Sequence, residues 1–177
     1  MLLQLIDDIL DLSKIEAGTM EFTLAPTDIN ELMDGICRQM QEKNPSPDVQ
    51  IMFTEKAEQC ILNTDRVRLS QVIINFTNNA MKFTPKGSIQ MGYRIEEEKG
   101  DIYFYVKDTG IGIPADKTDK VFERFVKLNS FIKGTGLGLA ICRIIVERLG
   151  GVIGVDSKEG EGSCFWFRIP IREIIVK

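Results

Sequence analysis

The residues best suited to chemistry lie between positions 65 and 87. Asn75 and Asn79 are one helical turn apart and Lys82 follows within the next turn, so on a helix they share one face. Residues 66–83 contain no carboxylate, although a solvated helix face usually mixes acidic and basic residues. Neutral amide oxygens suit a magnesium ion that already carries phosphate ligands, and a lysine suits the phosphates themselves. This face therefore predicts a phosphate and magnesium site, with a polar surface stripe as the alternative.

A second candidate is the carboxylate of Asp108. It ends an alternating stretch and is in phase with its apolar residues Ile102, Phe104 and Val106, so it points toward the core. A carboxylate there is costly unless it accepts hydrogen bonds. The turn that follows contains Gly110 and Gly112, which allow close backbone approach. We interpret Asp108 as a ligand-binding residue, and the alternative is an aspartate that caps this turn.

A third candidate is the glycine-rich sequence at positions 134–138, GTGLG, which directly precedes an apolar helical stretch. Backbone amides at a helix N-terminus bind anions, and glycines leave those amides accessible. The lysine of a Walker motif is absent from this sequence, so the segment is not a P-loop.

The element that positions the asparagine face is a helix over residues 65–83. Asp65 is its predicted N-cap, and Pro85 and Gly87 stop it. Its buried stripe follows helical spacing and consists of Leu69, Val72, Ile73, Phe76, Ala80 and Phe83.

The other predicted elements alternate between helices and strands. Further helices are expected over 28–41 and 139–149, with a short one from Asp116 that carries Val121, Phe122 and Phe125. Strands are expected at 20–24, 49–53, 61–63, 89–95, 102–108, 152–157 and 163–169. Each long helix has one apolar stripe. We therefore predict an α+β, two-layer sandwich: a mixed, mainly antiparallel sheet covered on one face by three helices.

The first helix, residues 1–17, has a wide apolar face and begins without a cap. Its stripe contains Leu2, Leu5, Ile9 and Leu12, and Gly18 is a natural C-cap. This pattern is typical of a helix cut from a longer bundle or coiled coil. The alternative is that it folds back onto its own domain.

Composition excludes several classes of protein. The 177 residues carry a net charge of −4 and are 44% hydrophobic, which indicates a globular protein without the basic surface of a nucleic-acid binder. The complete absence of histidine excludes Ser-His-Asp catalysis and histidine-ligated metals. Four dispersed cysteines, without a signal peptide or an apolar run of membrane-spanning length, favour free thiols in the cytoplasm.

These motifs, in this order, resemble the ATP-binding domain of sensor histidine kinases of two-component systems. The likeness covers residues 20–169, and DLSKIEAG at 11–18 resembles the end of the second helix of the dimerisation and phosphotransfer domain. It implies two parts: that helix end at 1–18, and a catalytic ATP-binding domain with the Bergerat fold at 19–177.

At the phosphate end, the resemblance implies that Asn79 ligates magnesium, that Asn75 assists, and that Lys82 reaches the phosphates. Arg124 is a candidate for the γ-phosphate. The backbone amides of the glycine-rich loop would surround the phosphates; they belong to Thr135, Gly136, Leu137 and Gly138.

At the adenine end, the resemblance implies that Asp108 accepts from the adenine amino group and that Ser163 acts through a water. Gly110 and Gly112 would let adenine approach the backbone. Phe122 and Phe125 would anchor a lid at 127–133, and residues 116–133 would be the most mobile internal segment without nucleotide.

The implied function is the positioning of Mg-ATP for phosphoryl transfer to a histidine outside this chain, in a phosphorelay. Implied partners are a histidine-bearing dimerisation domain and a response regulator receiver domain. The full-length protein would be a homodimer, either cytoplasmic or membrane-anchored with this part in the cytoplasm, and the fragment a monomer or weak dimer. Two alternatives stay open: a non-catalytic nucleotide-binding module, and an ATPase. The ATPase is disfavoured because Asn75 replaces the glutamate base of related ATPases.

Overall fold

The computed structural model describes residues 2–128 and 133–171. Within these ranges the chain forms helices and strands in the order α1 (Leu2–Glu16), β1 (Ala25–Asp28), α2 (Ile29–Lys43), β2 (Val49–Glu55), β3 (Ile61–Thr64), α3 (Arg66–Phe83), β4 (Gly87–Glu96), β5 (Asp101–Asp108), α4 (Gly138–Arg148), β6 (Val152–Lys158) and β7 (Gly162–Pro170). Each helix in this part of the chain is too short or too polar to cross a bilayer.

The main sheet has five strands in the order β2-β4-β5-β7-β6. Strands β2 and β4 run parallel, and the remaining neighbours are antiparallel. The apolar side chains of β5 at positions 102, 104 and 106 are buried, on the face against which α2, α3 and α4 pack. The predicted two-layer sandwich, with a mixed sheet under three helices, is confirmed.

Helix α3 forms for the reasons that its sequence suggests. The carboxylate of Asp65 accepts from the amide of Arg68 at 2.9 Å, which caps the helix, and from the amide of Thr23 at 2.7 Å. The apolar stripe is buried except for the half-buried Phe83, and the Phe76 ring lies 5.4 Å from that of Phe165. Because this face is fixed in the core, the orientation of the polar face is fixed as well.

Two of the predicted elements are wrong. Residues 20–24 form no strand; the strand is β1, which pairs with β3 through Ala25–Asp28. Only Met20 of the predicted strand is buried. The alternation of apolar and polar residues at 20–24 therefore belongs to an irregular segment and does not mark a strand. The short helix from Asp116 is a single 3-10 turn, Thr118–Lys120, followed by irregular backbone.

Helix α1 combines the two alternatives raised by its sequence. Its apolar residues are exposed, with 70% of Leu2 and 48% of Ile9 accessible, as expected for a helix that lacks bundle partners. Nevertheless it lies against the domain, near α4, with the opposite, acidic face inward, and Asp8 is only 3% exposed.

All four cysteines are free thiols. Cys37, Cys60 and Cys142 are buried and Cys164 is half-buried. Burial raises the pKa of the Cys142 thiol, and the nearby carboxylate of Asp8 acts in the same direction.

Candidate functional site

A cleft of about 600 Å³ opens between α3, the β5 end, the segment after Val121 and the start of α4. It contains most of the residues singled out from the sequence. Those that line it are Asn75, Asn79, Lys82, Asp108, Gly112, Thr135, Gly136, Gly138 and Ser163. Gln71 and Asn78 on the same helix line it as well.

The polar face of α3 forms one wall of the cleft. Asn75 touches the start of α4, because a Cβ placed on Gly138 would lie 2.6 Å from its Oδ1. Lys82 is exposed and points toward the glycine-rich loop: its Nζ lies 3.8 Å from the position that a Cβ on Gly134 would take. The structure therefore brings together the amides, the ammonium and the loop that the sequence places far apart.

Asp108 also lines the cleft and is 4% exposed. Burial raises the pKa of its carboxyl group, and a hydrogen bond at 2.8 Å from the Gly110 amide to Oδ1 works against that rise. Its neighbour across the sheet is Ser163 on β7. An acceptor buried beside a hydroxyl group suits the edge of a nitrogen heterocycle that can donate a hydrogen bond.

The two glycines of the turn are required by the packing of the chain itself. A Cβ on Gly110 would lie 2.2 Å from the carbonyl oxygen of Phe83, and one on Gly112 would lie 2.1 Å from that of Lys158. Gly112 also has a φ of +69°. Both glycines therefore let chain segments pack closely and hold Asp108 in place, before any ligand is considered.

Two hydroxyl groups near Asp108 were missed by the sequence reasoning. Ser157 on β6 lies 2.7 Å from Ser163, oxygen to oxygen, and accepts from the amide of Ile113 at 2.8 Å. Thr84 Oγ1 is buried and finds no hydrogen-bond partner among the described residues. Ser157 is the register partner of Ser163, so a correct hairpin alignment could have found it.

The glycine-rich loop is partly engaged by the protein itself. The Leu137 amide donates to Thr135 Oγ1 at 3.2 Å, while the Leu137 side chain is buried. The Thr135 hydroxyl donates to Asp8 Oδ2 at 2.6 Å, and the carbonyl of Gly136 accepts from the amide of Phe125 at 2.8 Å. Asp8 could not have been found from the sequence, because only the docking of α1 brings it here.

The predicted lid residues differ in placement. Phe122 packs edge-on against Phe165 with centroids 6.2 Å apart, as an anchor should. Phe125 is 70% exposed and has a φ of 63°, so here it does not serve as an apolar anchor. Arg124 pairs with Glu16 of α1 at 2.7 Å. Residues 129–132 of the predicted lid lie outside the described residues.

The cleft suits a metal only of a particular kind. Among residues 2–128 and 133–171, no cluster of three His, Cys, Asp or Glu side chains is placed to hold a cation. Asn75 and Asn79 supply neutral oxygens, which bind magnesium well only when phosphate oxygens complete its shell. The donor set therefore fits a nucleotide-borne ion.

Residues 64–173 match the family described as histidine kinase-, DNA gyrase B-, and HSP90-like ATPases. This chain belongs to that family. The match runs from the end of β3 through β7 and so includes every lining residue of the cleft except Gln4 and Asp8 of α1.

Within this family, the chain is similar to histidine kinases, as three related proteins illustrate. The circadian input-output histidine kinase CikA of Synechococcus elongatus is 38% identical over 98% of this chain and 24% of its own length. The structure of full-length ShkA in complex with AMPPNP superposes with a TM-score of 0.87 at 33% identity, over 96% of this chain and 35% of ShkA. Histidine kinase ThkA in complex with the response regulator TrrA gives 0.74 at 26% identity, over 95% of this chain and 48% of that one.

The resemblance found in the sequence, to the ATP-binding catalytic domain of sensor histidine kinases, is thereby confirmed, and so is the fold. The chain spans about a quarter of the length of CikA.

Proposed function

We propose that the cleft binds Mg-ATP and presents its γ-phosphate for transfer to a histidine that lies outside these 177 residues. One observation carries the proposal: the buried acceptor Asp108 lines the same cleft as the amides of α3, a lysine and a glycine-rich loop. Two such chemistries in one cleft suit a molecule with a heterocycle and a phosphate chain.

At the adenine end, Asp108 accepts a hydrogen bond from the exocyclic amino group. Ser163, oriented by Ser157, completes the recognition through a water. Guanine would bring a carbonyl oxygen to Asp108 where adenine brings an amino group. Two acceptors would then face each other in a buried place, which disfavours guanine.

At the phosphate end, Asn79 and Asn75 would hold magnesium together with the phosphates, and the ion would supply neutralising charge for the transferred group. Lys82 contacts the phosphates, and so do the amides after Gly134. The incoming histidine nitrogen bonds to the γ-phosphorus as the bond to the β,γ-bridging oxygen breaks, and ADP leaves. We propose that Arg124, once free of Glu16, stabilises the phosphoryl oxygens.

The partners proposed follow from what the sequence lacks. With no histidine of its own, the chain needs an acceptor from a dimerisation domain, and residues 1–18 are proposed as the end of one of its helices. The receiver domain of a response regulator would accept the phosphoryl group next, in agreement with the ThkA–TrrA complex. We propose that the whole protein is a cytoplasmic or membrane-anchored homodimer whose catalytic part is residues 19–177.

A hydrolytic ATPase is the second candidate, since the family includes such enzymes. The side chain of Asn75 stands on α3 one turn before Asn79, in the cleft wall. An amide cannot accept the proton of an attacking water. This favours transfer to a protein nucleophile over hydrolysis.

The test is transfer in trans with radiolabelled ATP. The chain alone should acquire no acid-labile phosphate, and a separate fragment carrying the dimerisation helices with their histidine should become labelled slowly, because the tether is missing. Asn79→Ala should abolish labelling, whereas Asn63→Ala, on β3 outside the cleft, should not. Equal labelling with Asn79→Ala would show that the cleft is not the donor, and fast phosphate release without acceptor would favour the ATPase.

A further inference from the structure

Helix α1 is held on the domain by one acidic face. Asp8 accepts from Thr135, and Asp11 accepts from Gln71 at 2.6 Å and pairs with Arg68 at 3.4 Å. Two turns after Asp8, Glu16 pairs with Arg124 at 2.7 Å. These contacts fall on the glycine-rich loop, the start of α3 and the segment leading to the lid, which are the elements that surround the phosphate end of the cleft.

Asp8 is the central contact. It lines the cleft together with Gln4, is 3% exposed, and both of its oxygens are engaged, Oδ1 by Gln4 Nε2 at 2.8 Å and Oδ2 by Thr135. A carboxylate is rarely buried unless hydrogen bonds compensate its lost hydration. Here that compensation comes from a hydroxyl group on the very loop proposed to hold phosphates.

The apolar surface of α1 contributes little to this docking. Leu2, Leu5, Ile6, Ile9 and Leu10 face solvent, with exposures of 38–70%. Only Leu12 and Ile15 pack partly against the core. The helix is therefore attached by hydrogen bonds and ion pairs more than by buried area. Such attachments are individually weak in water, so a competing ligand can displace the helix.

We propose that the acidic face of α1 is an intramolecular competitor of the nucleotide phosphates: docking of α1 and binding of the triphosphate exclude each other. Asp8 places a negative charge where the phosphates bind, and Glu16 neutralises the arginine that would stabilise them. The inference rests on the proposed function, since it concerns the regulation of the same cleft. Nucleotide affinity is then reduced by the fraction of molecules in which α1 is docked.

Titration calorimetry with Mg-AMPPNP tests this competition. Asp8→Asn keeps the shape of the side chain but removes its charge, and we expect about three- to tenfold tighter binding. Asp11 holds α1 on the domain but does not line the cleft. Asp11→Asn should therefore strengthen nucleotide binding less than Asp8→Asn does. The matched control is Asp7→Asn, since Asp7 is the exposed neighbour of Asp8 and its change should leave affinity as it is.

Reciprocity supplies an independent readout. If α1 lowers nucleotide affinity, the nucleotide must release α1, so amide exchange in residues 2–16 should accelerate when Mg-AMPPNP saturates the protein. Slower exchange there, or weaker binding by Asp8→Asn, would mean that α1 forms part of the nucleotide site and would overturn the inference. Equal affinities in all four proteins would overturn it too. If none of the four binds nucleotide, the proposed function itself fails.

Discussion

Asp108 shows how one residue couples stability to recognition. Its carboxylate is buried at the end of β5, and burial raises its pKa. Keeping a charged group there is unfavourable for the folded domain on its own, so the position is explained best by a ligand that donates a hydrogen bond. Lys82, also in the cleft, is exposed and incurs no comparable desolvation.

This contrast predicts a ranking of variants. Asp108→Asn should weaken ATP binding by about 1–3 kcal/mol, roughly 5- to 150-fold, because an amide presents a donor to the adenine amino group inside a buried site. Lys82→Ala should cost less than about 1 kcal/mol, since solvent screens its charge. Titration calorimetry of both variants measures this, and the reverse order would contradict the assignment of the adenine end.

At this scale the sequence was informative wherever a side chain lies on a regular element. The phase of β5 was enough to place Asp108 in the core, and helical spacing was enough to align Asn75 with Asn79. The sequence did not predict that Asp8 lines the cleft, because the position of Asp8 depends on how α1 docks. It did not predict the exposure of Phe125 either, because the residues of an irregular segment have no periodicity that indicates burial.

Among the elements, the turn after β5 is packed closely against its surroundings. Gly112 and Gly160 both have positive φ, yet only Gly112 is pressed against backbone, namely the Lys158 carbonyl, while the space around Gly160 is open. Comparing substitutions at Gly112 and Gly160 therefore distinguishes the cost of a positive φ from the cost of a steric clash with the backbone.

Gly112→Ala should destabilise the domain by about 3 kcal/mol or more, against about 1–2 kcal/mol for Gly160→Ala. The second value is the cost of a left-handed conformation for alanine, and the first adds a clash with backbone that cannot move away. Denaturant unfolding of both variants gives the two values. Equal losses would show that conformation alone requires Gly112.

Elements with strong periodicity and caps were predicted well, as α3 illustrates with its Asp65 cap and buried stripe. The error at residues 20–24 arose because alternation without a pairing partner does not make a strand, whereas Ala25–Asp28 finds β3. For α1 the pattern identified the helix but not its orientation. An apolar stripe would normally face the domain, and here specific ion pairs at the acidic face determine the docking instead.

The stability of the whole molecule should depend on pH through two carboxylates, because folding lowers the pKa of Glu96 and raises that of Asp108. Glu96 on β4 accepts from Arg168 on β7 at 2.9 Å and from Lys99 at 3.1 Å. The hydrogen bond from Arg168 is the largest cause that lowers its pKa to about 2. The ordinary pKa of a glutamate is 4.5, so the ion pair of Glu96 stabilises the fold fully above about pH 4.5. This stabilisation is lost as pH falls toward 2. For Asp108, the pKa is raised because burial destabilises the ionised carboxylate in the folded state. This loss of stability sets in as pH rises above 3.8, the ordinary pKa of an aspartate.

Accordingly, Glu96→Gln should lower the free energy of unfolding at pH 7, and the deficit should shrink as pH falls from about 4.5 toward 2. Asp108→Asn should do the opposite, stabilising the nucleotide-free domain at pH 7 with a gain that disappears below about pH 4. Urea unfolding at several pH values checks both. A Glu96→Gln deficit independent of pH would contradict the ion-pair explanation.

The adenine end of the cleft is built from a cross-strand pair, Asp108 on β5 and Ser163 on β7. The β4–β5 and β6–β7 hairpins are local in the sequence, but the two hairpins meet only through this β5–β7 ladder, with α4 in the intervening chain. Closing so long a loop is entropically costly and therefore belongs to the slow part of folding. Nucleotide-binding competence thus arises only when the chain topology is complete. Under the proposed function, a bound nucleotide would stabilise the contact that forms last, so that ATP would act as a folding ligand of the domain as well as its proposed substrate.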